Sequence, residues 1–405
     1  MTLLVAIAGL AFLILIHEAG HFLTALAVGM RPRKFYLGFP PPLVRATRRG
    51  VEYGIGLIPL GGYVKIPGMF RPAAGDLGRW FGRAVEEEPS LRRHVEAAAA
   101  AVERSDFETA RADLDRLEAA AAELEPTATT RRELARGISE LRDSLAPDAY
   151  WRQRSWRRIA VIFAGPGTNA LLAIVLFAGV FMVGSGDYRL GFSLKPQGQN
   201  ATRVVDSVLP NDPAAGAGLR AGDRILAING VLVSANDIAS TIRASRGKPL
   251  RLGVERGGRD VTLPAAEARK DEGQSAPSAF WSSLKVTGEV TKQIGVSLGN
   301  LVHGQGRKEI SSPVGIVRGS EQAIHEGARD YLSVLGLISL SLALLNLLPL
   351  LPLDGGHIAF SIVEGIRGRA VARAVYERTS AIGIALVVLL FFIGLTNDLG
   401  GGPGG

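Results

Sequence analysis

LLVAIAGLAFLILIHEAGHFLTALAV, residues 3–28, is an apolar run whose only ionisable side chains are His17, Glu18 and His21. Such groups are costly in hydrocarbon and by default mark a functional site. The four-residue step puts both imidazoles on one face of a helix, about one turn apart, where they can hold one metal ion with Glu18 beside them as a base. At about 1.5 Å per residue a run of this length crosses a bilayer. With only six histidines in the chain, two at this spacing around a glutamate argue for metal chemistry inside a membrane rather than a packed core pair.

Three further apolar runs, 159–183, 331–353 and 379–395, bring the expected spans to four, the last one short. The first run lacks the basic leader and small-residue cleavage site of a signal peptide, so it is read as retained. A net charge of +8 could suggest nucleic acid, but Lys and Arg gather at span ends: Arg31, Arg33 and Lys34, then Arg152, Arg154, Arg157 and Arg158, then Arg367, Arg369, Arg373 and Arg378. That bias places 29–158 and 364–379 in the cytoplasm and 184–330 outside, with both termini outside and no nucleic-acid partner. Trp151 and Trp156 among these arginines read as an interfacial belt. Without cysteine there is no disulfide and no thiolate ligand, so metal ligands must be His, Asp or Glu.

After the first span, Tyr53-Gly54-Ile55-Gly56-Leu57-Ile58-Pro59-Leu60-Gly61-Gly62-Tyr63-Val64 is too apolar for an ordinary loop and reads as short strands broken by glycine turns. A β-hairpin re-entering at membrane depth fits, provided its open edge lines a protein cavity or pairs with a substrate strand. Residues 72–148 turn to Ala, Glu, Arg and Leu. Leu114, Leu117, Ala121 and Leu124, then Leu134, Ile138, Leu141 and Leu145, predict a helical hairpin. Asn169, in Gly165-Pro166-Gly167-Thr168-Asn169, needs a partner in a dry setting, as a support of the active site or as a bond between helices. Residues 213–230 contain Gly-Leu-x-x-Gly-Asp-x-Ile-Leu-x-Ile-Asn-Gly; with a strand at 203–209, a helix at 236–245 and an alternating run over 250–263, this resembles a PDZ domain, an α+β module that binds extended peptides at a sheet edge. The third span ends Asn346-Leu347-Leu348-Pro349-Leu350-Leu351-Pro352-Leu353-Asp354-Gly355-Gly356-His357. There the prolines end the helix and bring a lone carboxylate, Asp354, to membrane depth as third ligand, with His357 the alternative. His94, His303 and His325 read as surface residues, and the glycine-rich tail 400–405 as low complexity.

Taken in order, these motifs resemble the site-2 proteases, in particular the bacterial RseP-like intramembrane zinc metalloproteases, over nearly the whole chain except 72–148. The resemblance implies one Zn2+ held by His17, His21 and Asp354, with Glu18 as the catalytic carboxylate of a zinc metalloendopeptidase. It also implies substrate contacts by Gly54, Gly56, Pro59, Gly61, Gly62, Tyr63, Asn346 and Asn169. The expected substrates are single-pass membrane proteins already cut by another protease, such as anti-sigma factors, or remnant signal peptides. The expected setting is the bacterial cytoplasmic membrane, with the active site toward the cytoplasm and an extracytoplasmic PDZ domain that binds or excludes substrate ectodomains. The chain departs from the commonest pattern in its single PDZ domain and long insert. The organisation expected is 1–71 (first span and hairpin), 72–148 (cytoplasmic helical insert), 149–187 (second span), 188–268 (PDZ), 269–330 (linker) and 331–405 (last two spans). The competing reading is a PDZ-bearing scaffold with a structural metal; a closed structural site would need a fourth protein ligand. A transporter is disfavoured because no internal repeat is visible.

Overall fold

The apolar run that carries the histidines forms one helix, α1 (Thr2–Ala27), in a computed structural model that describes residues 1–197, 200–303, 305 and 312–400. Six of its seven buried positions, Ala6, Leu13, His17, Gly20, His21 and Ala25, share one face, while Leu4, Phe12, Leu15, Leu23 and Leu26 are exposed; the seventh, Phe22, is covered by Phe35 and Tyr53. The polar signature therefore faces protein and the leucines are left for lipid, the inverse of a water-soluble helix.

Two strands follow, β1 (Lys34–Arg48) and β2 (Val51–Lys65). Each bends into two arms. Pro42–Arg48 of β1 runs antiparallel to Val51–Gly56 of β2, while Lys34–Leu37 lies between Glu52–Ile55 on one side and Gly62–Lys65 on the other. The spatial order of arms is thus 58–65, 34–39, 51–56, 42–48, and the arm 58–65 has no ladder partner on its outer side among the described residues. The three prolines of β1 fall at its bend, where no ladder amide is needed. Arg49 and Gly50, with φ of 52° and 81°, make the tight turn joining β1 to β2.

The insert is four helices rather than the expected hairpin: α2 (Ala74–Glu87), α3 (Arg92–Glu103), α4 (Phe107–Ala122) and α5 (Ala128–Leu145). They enclose their own core, including Leu77, Phe81, Leu91, Leu114, Leu117 and Leu141. Helix α5 is tied to the sheet: Lys65 pairs with Glu140 at 2.9 Å and Asp143 at 3.0 Å, and Arg33 with Asp143 at 2.9 Å.

The second span is α6 (Ser155–Val183), with Pro166 inside it. The chain forms two compact units, Met1–Leu176 with Lys285–Gly405, and Phe177–Leu284. The second unit contains β3 (Tyr188–Arg189), β4 (Phe192–Gln197), β5 (Asn200–Val208), α7 (Pro213–Gly216), β6 (Arg224–Ile228), β7 (Val231–Leu232), α8 (Ala235–Ala244), β8 (Pro249–Leu250), β9 (Leu252–Arg256), β10 (Arg259–Thr262), β11 (Ala266–Glu267) and β12 (Arg269–Lys270). Strands β10, β9, β6, β5 and β4 form one antiparallel sheet in that order, with β7 added on β6. Its core includes Val205, Ile225, Ile238, Ile242, Leu252 and Val254.

The stretch read as a linker is largely helical, as α9 (Ala276–Val302) and α10 (Pro313–Glu326). The third span, α11 (Ala328–Asn346), stops at Asn346 rather than 353, because the prolines after it cannot continue a helix. A new helix, α12 (Asp354–Arg367), starts at Asp354, and the last, α13 (Arg373–Gly400), is long rather than short. Among the described residues four helices, α1, α6, α11 and α13, are long and apolar enough to cross a membrane. The tail 401–405 lies outside the described residues.

Candidate metal centre and active site

Small residues bring α1 and α6 together. A Cβ on Gly20 would sit 2.5 Å from the Ala164 carbonyl and 2.7 Å from Thr168 Oγ1, and a Cβ on Gly165 would collide with His21 Nε2. Glycines at the crossing thus make room for a ring between two helices, as small residues do in membrane packing. The His21 ring is fixed by a 2.8 Å hydrogen bond from Nδ1 to the Val161 carbonyl. Since a carbonyl only accepts, Nδ1 carries the proton and Nε2 of the neutral ring is left as a bare donor atom.

His17 lies four residues earlier, with Nδ1 3.5 Å from the Asn169 side-chain amide. The Asn169 Oδ1 atom is buried without a partner. Exchanging the amide O and N, which ordinary assignment leaves open, lets Oδ1 accept from His17 Nδ1–H, and His17 Nε2 then faces the same point as His21 Nε2. Ser339 Oγ on α11 donates to the Asn169 carbonyl at 2.8 Å, securing that turn.

The third arm of the centre comes from the start of α12. Gly355 and Gly356 pack against the 347–351 turn so closely that a Cβ on Gly355 would overlap the Leu347 carbonyl and one on Gly356 would lie 2.5 Å from the Leu351 amide. This folds Asp354 back toward α1. Asp354 Oδ2 lies 3.2 Å from His17 Nε2 and 3.4 Å from His21 Nε2, and the two Nε2 atoms are 3.2 Å apart. Two bare imidazole nitrogens and a carboxylate oxygen with no hydrogen-bond partner repel one another unless a cation sits among them. The edge between ligands on a tetrahedron is about 1.6 bond lengths, or roughly 3.3 Å for zinc to nitrogen or oxygen, and the triangle observed matches it. His17, His21 and Asp354 are the metal-capable group among the described residues. His357, the alternative, lies apart from that group, with its ring 6.5 Å from that of Tyr376. His303 and His325 are exposed, while His94 is half-buried.

Glu18 is half-buried beside the histidines. The arm 58–65 passes over it: a Cβ on Gly62 would lie 2.8 Å from Glu18 Cγ and 2.8 Å from the Tyr36 carbonyl. Gly61, with φ of 139°, bends this arm, and Tyr63 stacks on Tyr36 at 5.2 Å. Gly54 and Gly56 sit instead in the inner arm 51–56, under the Tyr36 ring and against the Phe39 carbonyl. Their local requirement is packing between arms. Pro59 belongs to the outer arm, but its side chain lies outside the described residues. Asn346 closes α11, half-buried, with no side-chain hydrogen bond among the described residues. Reading residues singly missed Gly165 and the Val161 carbonyl. The available signal was a matched four-residue step, Gly165 to Asn169 on α6 and His17 to His21 on α1.

Fold and site together fit a metal-dependent hydrolase, with two of the three metal-capable side chains on a helix long and apolar enough to cross a membrane and the third at the start of α12. Residues 5–390 match the model of peptidase family M50. The chain belongs to that family, the site-2 proteases, and is an intramembrane zinc metalloprotease. It is 30% identical to zinc metalloprotease RasP of Shouchella clausii, over 98% of this chain and 98% of the relative. It is 29% identical to regulator of sigma-W protease RasP of Bacillus subtilis, over 96% of this chain and 95% of the relative. It is also 29% identical to regulator of sigma-E protease RseP of Salmonella typhimurium, over 97% of both.

Proposed function

We propose that this protease hydrolyses a peptide bond in or near the membrane span of single-pass membrane proteins, with His17, His21 and Asp354 as zinc ligands and Glu18 as the catalytic carboxylate. The observation that carries the assignment is the triangle of two imidazole nitrogens and one carboxylate oxygen, 3.2, 3.2 and 3.4 Å apart, with Glu18 beside it. When bound, zinc supplies Lewis acidity for activating water and polarising a carbonyl. The Val161 carbonyl and Asn169 hold the two imidazoles in the ligating tautomer. Glu18 accepts a proton from the attacking water and returns one to the departing amine.

A helical substrate hides its carbonyls in its own hydrogen bonds, so it must unwind before cleavage. The unpaired edge of arm 58–65 offers backbone partners for an extended peptide, one strand spacing, about 4.8 Å, from the arm that packs on Glu18. In this reading the sheet re-enters at membrane depth, Gly61, Gly62 and Tyr63 line the substrate, and Asn346 meets its backbone. Residues 188–268, within the unit Phe177–Leu284, act as an extracytoplasmic PDZ domain that captures or excludes ectodomains. The arginine-rich span ends put the active site toward the cytoplasm of the bacterial inner membrane. The sigma-regulator names of the relatives support anti-sigma factors, pre-cut by another protease, as the substrate class.

The test is cleavage of a panel of tagged single-span proteins by purified wild type beside Glu18→Gln, with zinc quantified in both. Cleavage by the wild type alone at equal zinc supports the assignment; equal cleavage by both removes Glu18 from the chemistry.

A further inference from the structure

A cavity of about 460 Å3, apart from the metal centre, opens where α6 and α13 begin and α12 ends. Its lining holds four arginines, Arg71, Arg158, Arg369 and Arg373, against one carboxylate, Glu364. That carboxylate is already used: it accepts from Arg158 Nη1 at 2.7 Å and from the Val371 amide at 2.8 Å. Arg373 pairs with Asp76 at 2.6 Å. Arg71 and Arg369 face no carboxylate among the described residues; Arg71 donates to Ser105 Oγ and lies over the rings of Phe107 and Trp151.

Two helix N-termini, at Ser155 and Arg373, also line the cavity and favour an anion, while the C-terminal end of α12 opposes it with about half a charge. The surplus arginines decide the sign. Beside this cationic pocket the chain exposes aliphatic surface: Ile362, Val363 and Ile366 on α12 are 45%, 42% and 82% exposed, and Val375 on α13 is 45% exposed. Trp156, 57% exposed with Arg157 over its ring, stands at the start of α6. A ligand that satisfies both surfaces carries a phosphate anion and aliphatic chains.

We infer that this cavity binds the headgroup of an anionic phospholipid, with Arg71 and Arg369 meeting the phosphate and the exposed face of α12 meeting the acyl chains. The inference rests on the membrane reading of the spans and not on the peptidase chemistry, so it can fail while the proteolytic assignment stands.

The experiment is native mass spectrometry of the full-length, zinc-loaded protein with phosphatidylglycerol or phosphatidylcholine of the same acyl chains. It compares wild type, the double variant Arg71→Ala with Arg369→Ala, and the charge-keeping double variant Arg71→Lys with Arg369→Lys. Expected are a preference of the wild type for phosphatidylglycerol, a roughly 30-fold weaker affinity in the alanine variant, at about 1 kcal/mol per arginine, and retention in the lysine variant. Zinc content should be unchanged throughout. Equal binding of the two lipids by the wild type, or undiminished phosphatidylglycerol binding by the alanine variant, would overturn the inference. Should the alanine variant not fold, the wild-type lipid comparison still decides. Displacement of phosphatidylglycerol by millimolar inorganic phosphate would assign the pocket to a soluble anion and overturn the lipid.

Discussion

The His21 ring occupies the space that a side chain on Gly165 would fill: a Cβ there would lie 2.6 Å from Cε1 and 2.8 Å from Cδ2 and would overlap Nε2. The ring cannot retreat without giving up its 2.8 Å bond to the Val161 carbonyl on the same helix as Gly165. Gly165→Ala should therefore swing Nε2 away from the triangle while leaving the span hydrophobic. Zinc affinity, read by competition with a chelator, is expected to fall roughly 10- to 100-fold, as when a partner of a ligating histidine is lost. Unchanged affinity would mean that α1 and α6 separate freely at their crossing.

Glu18 is neighbour to the triangle but is not one of its three donor atoms. Glu18→Gln keeps the volume and removes the proton acceptor, so zinc content should hold while cleavage falls by about 10²- to 10⁴-fold, the usual span for general acid–base work. Loss of zinc with loss of cleavage would instead place Glu18 among the ligands.

Much of this centre was legible because its chemistry is local: His17 and His21 share a helix, and Asp354 follows two helix-breaking prolines. The sheet was half legible. Tyr53–Val64 announced strands, but its partner Lys34–Arg48 contains Pro40, Pro41 and Pro42, which on sequence grounds argue against a strand; only the bend between arms makes them compatible. Helices α2 and α3 escaped notice because Gly75, Gly78 and Gly82 punctuate one and a run of alanines gives the other no apolar stripe. The role of Gly165 was only partly legible: its four-residue step to Asn169 matches that of His17 to His21, but which helix α6 crosses is a tertiary fact that no spacing within one segment encodes.

Gly62 tests the sheet. A Cβ at this position would lie 2.8 Å from both Glu18 Cγ and the Tyr36 carbonyl, and the latter is main chain that cannot rotate aside. Gly62→Val should displace the arm from Glu18 and lower kcat by roughly 100-fold, the cost of a misplacement of about 1 Å, with zinc retained. Gly78→Ala, on α2 where an added Cβ meets nothing within 4 Å, is the control and should leave cleavage intact. Equal activity in the two variants would detach the arm from catalysis.

Asp223 and Arg256 contribute to the acid sensitivity of the second unit. Asp223, 2% exposed, accepts from Arg256 Nε at 2.8 Å and Nη2 at 2.6 Å and from the Arg220 amide at 2.8 Å. The Arg256 guanidinium, foremost, holds its carboxyl below the ordinary value of 3.8. A carboxyl with a depressed folded-state pKa binds fewer protons folded than unfolded, so its stabilising contribution is full above 3.8 and is lost as the pH falls below that value toward the folded pKa. Hydrogen exchange of residues 219–256 in the full chain, corrected for the intrinsic pH dependence, should show protection falling in that acid window for the wild type. Asp223→Asn should be less protected at neutral pH, because it loses the paired charge, and should show a shallower acid slope. Identical slopes in the two proteins would assign the acid limit to another carboxylate.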